Sequence, residues 1–208
     1  LLKSDNSQFH PAADLNGDGL IDLADLTLLG TRLTAVSATE AVQTAYQQLV
    51  QDATIQLTFS LESISEDDGP NAAILTLSRD LSIDSSDFTV TLTSNDNSEL
   101  TIPASVSFAL NASTATVNIQ AVDDALLDGN QVVHFTASAD PHFFAGAADY
   151  TVTDHETLTT TIDSDSVAEN GGAAVATVVI QRSNVDDLSQ SLFISLNSSD
   201  TSELTVPS

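Results

Sequence analysis

Oxygen-bearing side chains recur at fixed intervals between Asp14 and Asp25. Loop positions 1, 3, 5, 7, 9 and 12 are occupied by Asp14, Asn16, Asp18, Leu20, Asp22 and Asp25. Five of these residues offer side-chain oxygens, and the residue at position 7 offers its backbone carbonyl, as in a twelve-residue calcium loop. Gly19 at position 6 permits the sharp turn that such a loop needs. The spacing therefore predicts a site for a hard cation such as Ca²⁺.

Two features distinguish this loop from an EF-hand. Asp25 replaces the usual glutamate at position 12, and Pro11 interrupts the chain where a helix would precede the loop. The segment resembles a dockerin-type calcium repeat, in which one loop is followed by one helix. The resemblance implies that the six residues bind Ca²⁺. The alternative is a solvated acidic turn that caps a helix predicted over Leu23 to Leu33.

The chain is strongly acidic, with 30 Asp and Glu against four Lys and Arg and a formal net charge of −26. Bound divalent cations would relieve the self-repulsion of so many carboxylates. Four cationic side chains cannot form a basic patch, which excludes nucleic acid and insertion into a membrane surface. The absence of Cys excludes disulfides and thiolate sites.

Residues 1–52 have a helical pattern. Apolar residues from Leu23 to Leu33 form one face, and a second helix is predicted through Ala41 and Val50, with Ser37 or Thr39 as its cap. So small a core predicts that loop calcium contributes a large share of the stability of this module.

From about residue 54 the apolar residues recur with period two. The pattern predicts about seven short strands, beginning near residues 54, 73, 88, 106, 115, 132 and 150. Their number and spacing predict a mainly β fold, with an immunoglobulin-like antiparallel β-sandwich over residues 53–157.

The start of this β region is repeated. Ser63–Gly69 returns as Ser166–Gly172, and Leu92–Pro103 returns as Leu196–Pro207, with shifts of 103 and 104 residues. The repeat predicts tandem domains. The second domain spans residues 158–208 and lacks counterparts of the last four predicted strands of the first. We expect either a fragment of a longer protein or completion by strands of a neighbouring copy, which would build a homo-oligomer or filament.

The repeated Ser-x-x-Glu-x-x-Gly unit and the run from Val122 to Gln131 resemble the Calx-β domain family, over about residues 55–208. The resemblance implies a calcium cluster at one end of the sandwich. The residues carried over by position are Glu66, Glu99, Asp123, Asp124, Asp128 and Asp154. Asp128 and Gln131 stand where the family has glutamates, so affinity is expected to fall.

The order of the strands favours the same cluster. Asp123 and Asp124 lie between two predicted strands, and Asp154 and Glu156 follow the last one. Loops at one end of a sandwich converge, and adjacent carboxylates repel one another unless a cation lies among them. The alternative is that these acids form turns and a solvated rim, because sandwich turns favour Asp, Asn and Gly.

The sequence predicts a non-catalytic protein. Its four histidines are scattered, no Gly-x-Ser-x-Gly motif is present, and no Trp is available for a sugar-stacking cleft. Calcium sites of modest affinity are filled where calcium is millimolar, so we expect an extracellular structural or adhesion segment of a bacterial surface or secreted protein. Its partner is expected to be a protein or another copy of the repeats. The alternatives are a strand-complemented filament subunit and a dockerin-type docking module of a polysaccharide-degrading assembly.

Overall fold

The computed structural model of the chain describes residues 2–3, 12–139, 141–186 and 191–206. Pro11 and Pro207, which the sequence analysis used, lie outside the described residues. The described chain is mainly β, with two helices and two larger sheets paired almost entirely in antiparallel fashion, which confirms the coarse fold prediction. No helix in these ranges is long and apolar enough to cross a membrane.

Two helices follow the N-terminal loop, α1 over Leu23–Ala35 and α2 over Glu40–Asp52. Asp22 caps α1, because its carboxylate accepts a hydrogen bond from Ala24 N at 2.8 Å. The helices meet closely at Gly30, where a Cβ atom would lie 2.1 Å from the Tyr46 hydroxyl. Neither helix buries an apolar side chain fully, so their shared core is thin.

Two sheets form a unit over residues 53–157, which we call the two-sheet unit. Its five-stranded sheet has the order β4-β11-β10-β6-β8, and its four-stranded sheet has the order β3-β5-β9-β7. The strands are β3 Gln56–Phe59, β4 Ser63–Ser65, β5 Ala73–Ser78, β6 Phe88–Ser94, β7 Leu100–Thr101, β8 Ser105–Phe108, β9 Thr114–Ala121, β10 Gln131–Ala139 and β11 Phe143–Thr153. Two further short strands, β1 Leu2–Lys3 and β2 Leu20–Ile21, pair near the loop.

Pairing in the two larger sheets is antiparallel except at one edge. Thr151–Thr153 of β11 runs parallel to Ser63–Ser65 of β4. Because the strands point the same way, the residues that follow each of them emerge at the same end of the unit. Strands as short as β4 and β7 have too few residues for a period of two to be recognised, which is why the sequence pattern missed them.

One hydrophobic core lies between the sheets. In β9 every second residue is buried, which places Val117 and Ile119 inward and leaves the intervening polar side chains in solvent. The largest fully buried side chains are Phe108, Phe135 and Phe143. Each such side chain contributes about 1.5–3 kcal/mol through its burial, so this core is the main source of stability.

The helical segment enters this core directly. Phe144 N donates to Ala53 O at 2.8 Å, and Ile55 N donates to Phe144 O at 3.2 Å. Gly146 allows this close approach, since a Cβ there would lie 2.0 Å from Ile55 O. The end of α2 is therefore attached at the end of the unit where β11 begins.

A second antiparallel pair, β12 Leu158–Ile162 and β13 Val178–Arg182, repeats the β3–β5 hairpin. Thr159 pairs with Gln181, as Gln56 pairs with Ser78, so the register is conserved with a shift of 103 residues. We call residues 158–206 the C-terminal unit. Its strands bury little, and Val179 and Phe193 are 53% and 95% exposed.

Candidate metal centre

The acids that the Calx-β resemblance implies meet at one end of the two-sheet unit. Glu66 follows β4, Asp123 and Asp124 follow β9, and Asp154 follows β11. Glu99 joins them because its backbone carbonyl accepts a hydrogen bond from Val122 N at 2.9 Å. With Asp128 and Glu156 they form what we call the acidic cluster, the end of the unit opposite the attachment of α2.

Three carboxylates of the cluster converge most closely. One oxygen from each of Glu66, Asp123 and Glu156 lies within 4.8 Å of the other two. Within the described ranges, this acidic triad is the set of His, Cys, Asp and Glu side chains that could hold a metal ion together. Glu66 and Glu156 are 2% and 6% exposed, whereas Asp123 faces solvent. The site is thus partly sealed from water and open on one side.

Three buried oxygens in the cluster have no hydrogen-bond partner. They are the Oε2 atoms of Glu66, Glu99 and Glu156. A buried carboxylate oxygen without a partner costs on the order of 1–3 kcal/mol or more when charged. Protons or a cation would relieve this cost, and a cluster of oxygen donors is the ligand set that Ca²⁺ prefers.

The electrostatics of the cluster favour neutralisation. Burial, followed by the charges of Glu99 and Asp154, raises the pKa of Glu66 to about 8. Burial, followed by the charge of Asp128, raises the pKa of Glu99 to about 7. Asp124 acts on both groups in the same direction. A divalent cation would reverse these shifts, because it favours the charged form of every carboxylate around it.

Asp154 organises the loops around the triad. Its two oxygens accept hydrogen bonds at 2.7 Å from Gly129 N and Glu156 N. Asp124 similarly accepts from Leu126 N at 2.7 Å. These carboxylates hold the loop that follows β9 and the chain that follows β11 in place, so turn formation and clustering of the acids occur together.

Glu156 is the member of the triad that the family resemblance did not supply. The resemblance assigned the end of the last strand to Asp154, whose oxygens are already bonded to backbone amides. The sequence feature that could have indicated Glu156 was the pair of acids after that strand, on either side of His155. Whether Asp154 or Glu156 points towards Glu66 and Asp123 depends on the direction of the backbone after the strand. A motif match does not define that direction.

The N-terminal loop is closed by hydrogen bonds to its predicted ligands. Asp14 accepts from Gly17 N and Gly19 N at 2.7 and 2.9 Å. Asp25 is 3% exposed and accepts from Leu15 N and Asp22 N at 2.6 and 2.9 Å. The first and last ligands therefore hold the two ends of the loop together, and Asp25 also completes the cap of α1.

Of the remaining predicted ligands, Asn16 and Asp18 are exposed and Leu20 and Asp22 are half-buried. Asn16 and Asp18 contact each other at 2.9 Å, and Asp18 accepts from Leu20 N at 2.9 Å. Asp22 serves as the helix cap through one of its oxygens. In the described part of the chain the loop carboxylates do not form a group of three as close as the acidic triad. Of the predicted ligands, Asp22 and Asp25 are the residues that cap α1.

The three histidines whose side chains are described each contact an aspartate carboxylate. His134 contacts Asp149 at 2.6 Å, and His155 contacts Asp67 at 3.2 Å. His142 contacts Asp84 at 2.5 Å at the opposite end of the unit from the acidic cluster. In each pair the imidazole Nδ1 faces a carboxylate oxygen.

The metal-free protein should be more stable at pH 5 than at pH 8. Glu66 and Glu99 bind protons more tightly in the folded chain than at the ordinary value of 4.5, so stability is lost as pH rises through their raised pKa values of about 8 and 7. We expect a melting temperature in chelator that is about 5 °C or more higher at pH 5. Glu66→Gln should remove much of the difference, and equal melting temperatures in the parent chain would contradict the proposed electrostatics.

Comparisons of the chain with protein-family models, with curated proteins and with solved structures gave no match.

Proposed function

We propose that this chain is a non-catalytic, calcium-stabilised structural segment of an extracellular protein. It combines a dockerin-like loop and helix module with immunoglobulin-like β-sandwich repeats of the Calx-β type. Calcium in the N-terminal loop would be held by the oxygens of Asp14, Asp18 and Asp22 together with the other loop ligands. Calcium in the acidic cluster would be held by Glu66, Asp123 and Glu156.

The observation that carries the proposal is the burial of unpartnered carboxylate oxygens beside an exposed acid. Glu66 and Glu156 are almost fully buried, each has an oxygen without a partner, and Asp123 leaves the site open to solvent. Structural stabilisation alone does not explain this arrangement, because an apolar or hydrogen-bonded end would be more stable without a cation. A bound cation would supply the missing interactions and neutralise part of the net charge of −26.

The position of the sites suggests a mechanical role. The loop lies before the two-sheet unit, and the acidic cluster lies where that unit meets the C-terminal unit. A cation in the acidic cluster would bridge acids that follow three different strands, and a cation in the loop would fix the turn that leads into α1. The segment would then extend as a stiff rod when calcium is present, which is what a surface or adhesion protein requires.

Calorimetric titration of the full 208-residue chain with Ca²⁺ tests the proposal. We expect two classes of site, of which Glu66→Gln removes one and Asp14→Ala removes the other. Glu169→Gln is the matched control, because Glu169 lies 103 residues after Glu66 in the repeat and is exposed. Absence of binding at millimolar calcium, or loss of both classes in the control variant, would contradict the proposal.

A further inference from the structure

The connection between the two units is short and runs through the acidic cluster. Strand β11 ends at Thr153 and β12 begins at Leu158, which leaves only the four residues 154–157 between them. Asp154 organises the cluster loops and Glu156 belongs to the acidic triad. The linker is therefore itself part of the candidate metal centre.

The C-terminal unit touches this linker through two adjacent residues. Asn184 Nδ2 donates to Glu156 Oε1 at 3.1 Å. Ser183 N donates to Thr157 O at 2.8 Å, and Ser183 Oγ accepts from Thr157 N at 2.9 Å. The amide of Asn184 has a defined orientation, because its Oδ1 accepts from Asp186 N at 2.9 Å and its nitrogen must then face Glu156.

Glu156 thus connects two neighbours. Its Oε1 atom is bonded to the C-terminal unit, while its buried Oε2 atom has no partner and belongs to the side chain that converges with Glu66 and Asp123. A carboxylate that is oriented at one oxygen presents the other with a smaller loss of conformational freedom when a cation binds. Asn184 is in the position to provide that orientation.

The pair is specific to this junction. The repeat shift of 103 residues relates Glu156 to Ala53 and Asn184 to Leu81, at the place where the helical segment enters the two-sheet unit. Neither a carboxylate nor an amide stands at those equivalent positions. Both members of the hydrogen bond therefore occur together at the junction that contains the acidic cluster, and both are replaced at the junction that lacks it.

We propose that the C-terminal unit completes the metal centre of the two-sheet unit through Asn184, so that cation binding and docking of the C-terminal unit strengthen each other. This inference rests on the proposed function, since it assumes that the acidic cluster binds calcium. Thermodynamic linkage requires the effect to be reciprocal: a contact that favours the cation must itself be favoured when the cation is bound. Asn184 acts as a positioning residue for Glu156.

The first measurement is calcium affinity in the full chain, in an Asp14→Ala background that removes the N-terminal loop site. Asn184→Ala should weaken binding about tenfold or more, because loss of an outer partner that orients a metal ligand typically costs about 10- to 100-fold in affinity. The matched control is Asn197→Ala, another asparagine of the C-terminal unit, which is exposed. The control variant should bind as tightly as the background chain.

The second measurement is the distance between the units, which separates positioning from a general loss of stability. The chain has no Cys, so spin labels at Thr116→Cys and Thr161→Cys, both exposed, mark β9 and β12 alone. Calcium should narrow the distance distribution in the background and control chains and leave it broad in Asn184→Ala.

The outcomes distinguish this inference from the proposed function. If calcium binds the background chain but Asn184→Ala changes neither affinity nor the distance distribution, the coupling is overturned and the metal centre stands. If calcium does not bind the background chain at the acidic cluster, the proposed metal centre is overturned and the coupling with it.

Discussion

Removal of calcium should lower the melting temperature of the two-sheet unit by about 5–10 °C. A ligand present at a hundredfold excess over its dissociation constant stabilises the folded state by about 2.7 kcal/mol, and each kcal/mol shifts the melting temperature of a chain of this size by about 2–4 °C. The effect is expected at this unit because Glu66, Glu99 and Glu156 bury oxygens that have no protein partner. Thermal unfolding followed by circular dichroism in calcium and in chelator measures it.

Glu66→Gln provides the sharpest test of where the stabilisation arises. The amide replaces a carboxyl group that is costly to ionise in the cluster, so the chelated variant should melt at or above the parent chain, and calcium should raise its melting temperature by much less. Glu169→Gln makes the same change at the repeat-equivalent exposed position and should leave the calcium effect intact. A full calcium effect in Glu66→Gln would place the stabilisation elsewhere, in the N-terminal loop first of all.

Arg79→Ala should destabilise the two-sheet unit by about 3 kcal/mol or more. The Arg79 side chain is 6% exposed and donates to the carbonyl oxygens of Ala112, Ser86 and Ala109 at 2.7, 2.6 and 3.0 Å. Truncation would remove this donor from all three carbonyls at the end of the unit away from the acidic cluster, and within the described chain only Ala109 O would keep another bond, from Ala112 N. A carbonyl left without a donor costs about 1–3 kcal/mol.

Aromatic packing adds to this effect. The guanidinium carbon of Arg79 lies 5.0 and 4.9 Å from the ring centroids of Phe88 and Phe108, where a cation contributes about 0.5–2 kcal/mol. Arg182→Ala is the matched control, because Arg182 is the repeat counterpart and is only half-buried. Urea unfolding of both variants measures the difference. An equal loss of unfolding free energy in the two variants would show that the hydrogen bonds from Arg79 to the three carbonyl oxygens contribute little.

The sequence alone predicted the elements whose pattern is local. Strict alternation identified β9, and the repeated motifs predicted a second copy of the β unit. Within that region Thr159 pairs with Gln181 as Gln56 pairs with Ser78, although the motifs themselves lie outside these strands. The acidic loop from Asp14 to Asp25 was likewise recognisable, since its residue spacing lies within twelve residues, and its binding of calcium stays a prediction. These features follow from side-chain periodicity and short-range geometry, which a single sequence contains.

Tertiary structure decided which distant residues meet. The parallel pairing of β4 with β11 brings Glu66 and Glu156 to the same end, although they are 90 residues apart. Burial left their oxygens without partners, and docking of the C-terminal unit placed Asn184 against Glu156. None of this is encoded in local spacing, because the direction of a strand and the burial of a carboxylate depend on packing across the whole unit. The sequence therefore determined which acids were available, and the packing of the sheets determined which of them converge.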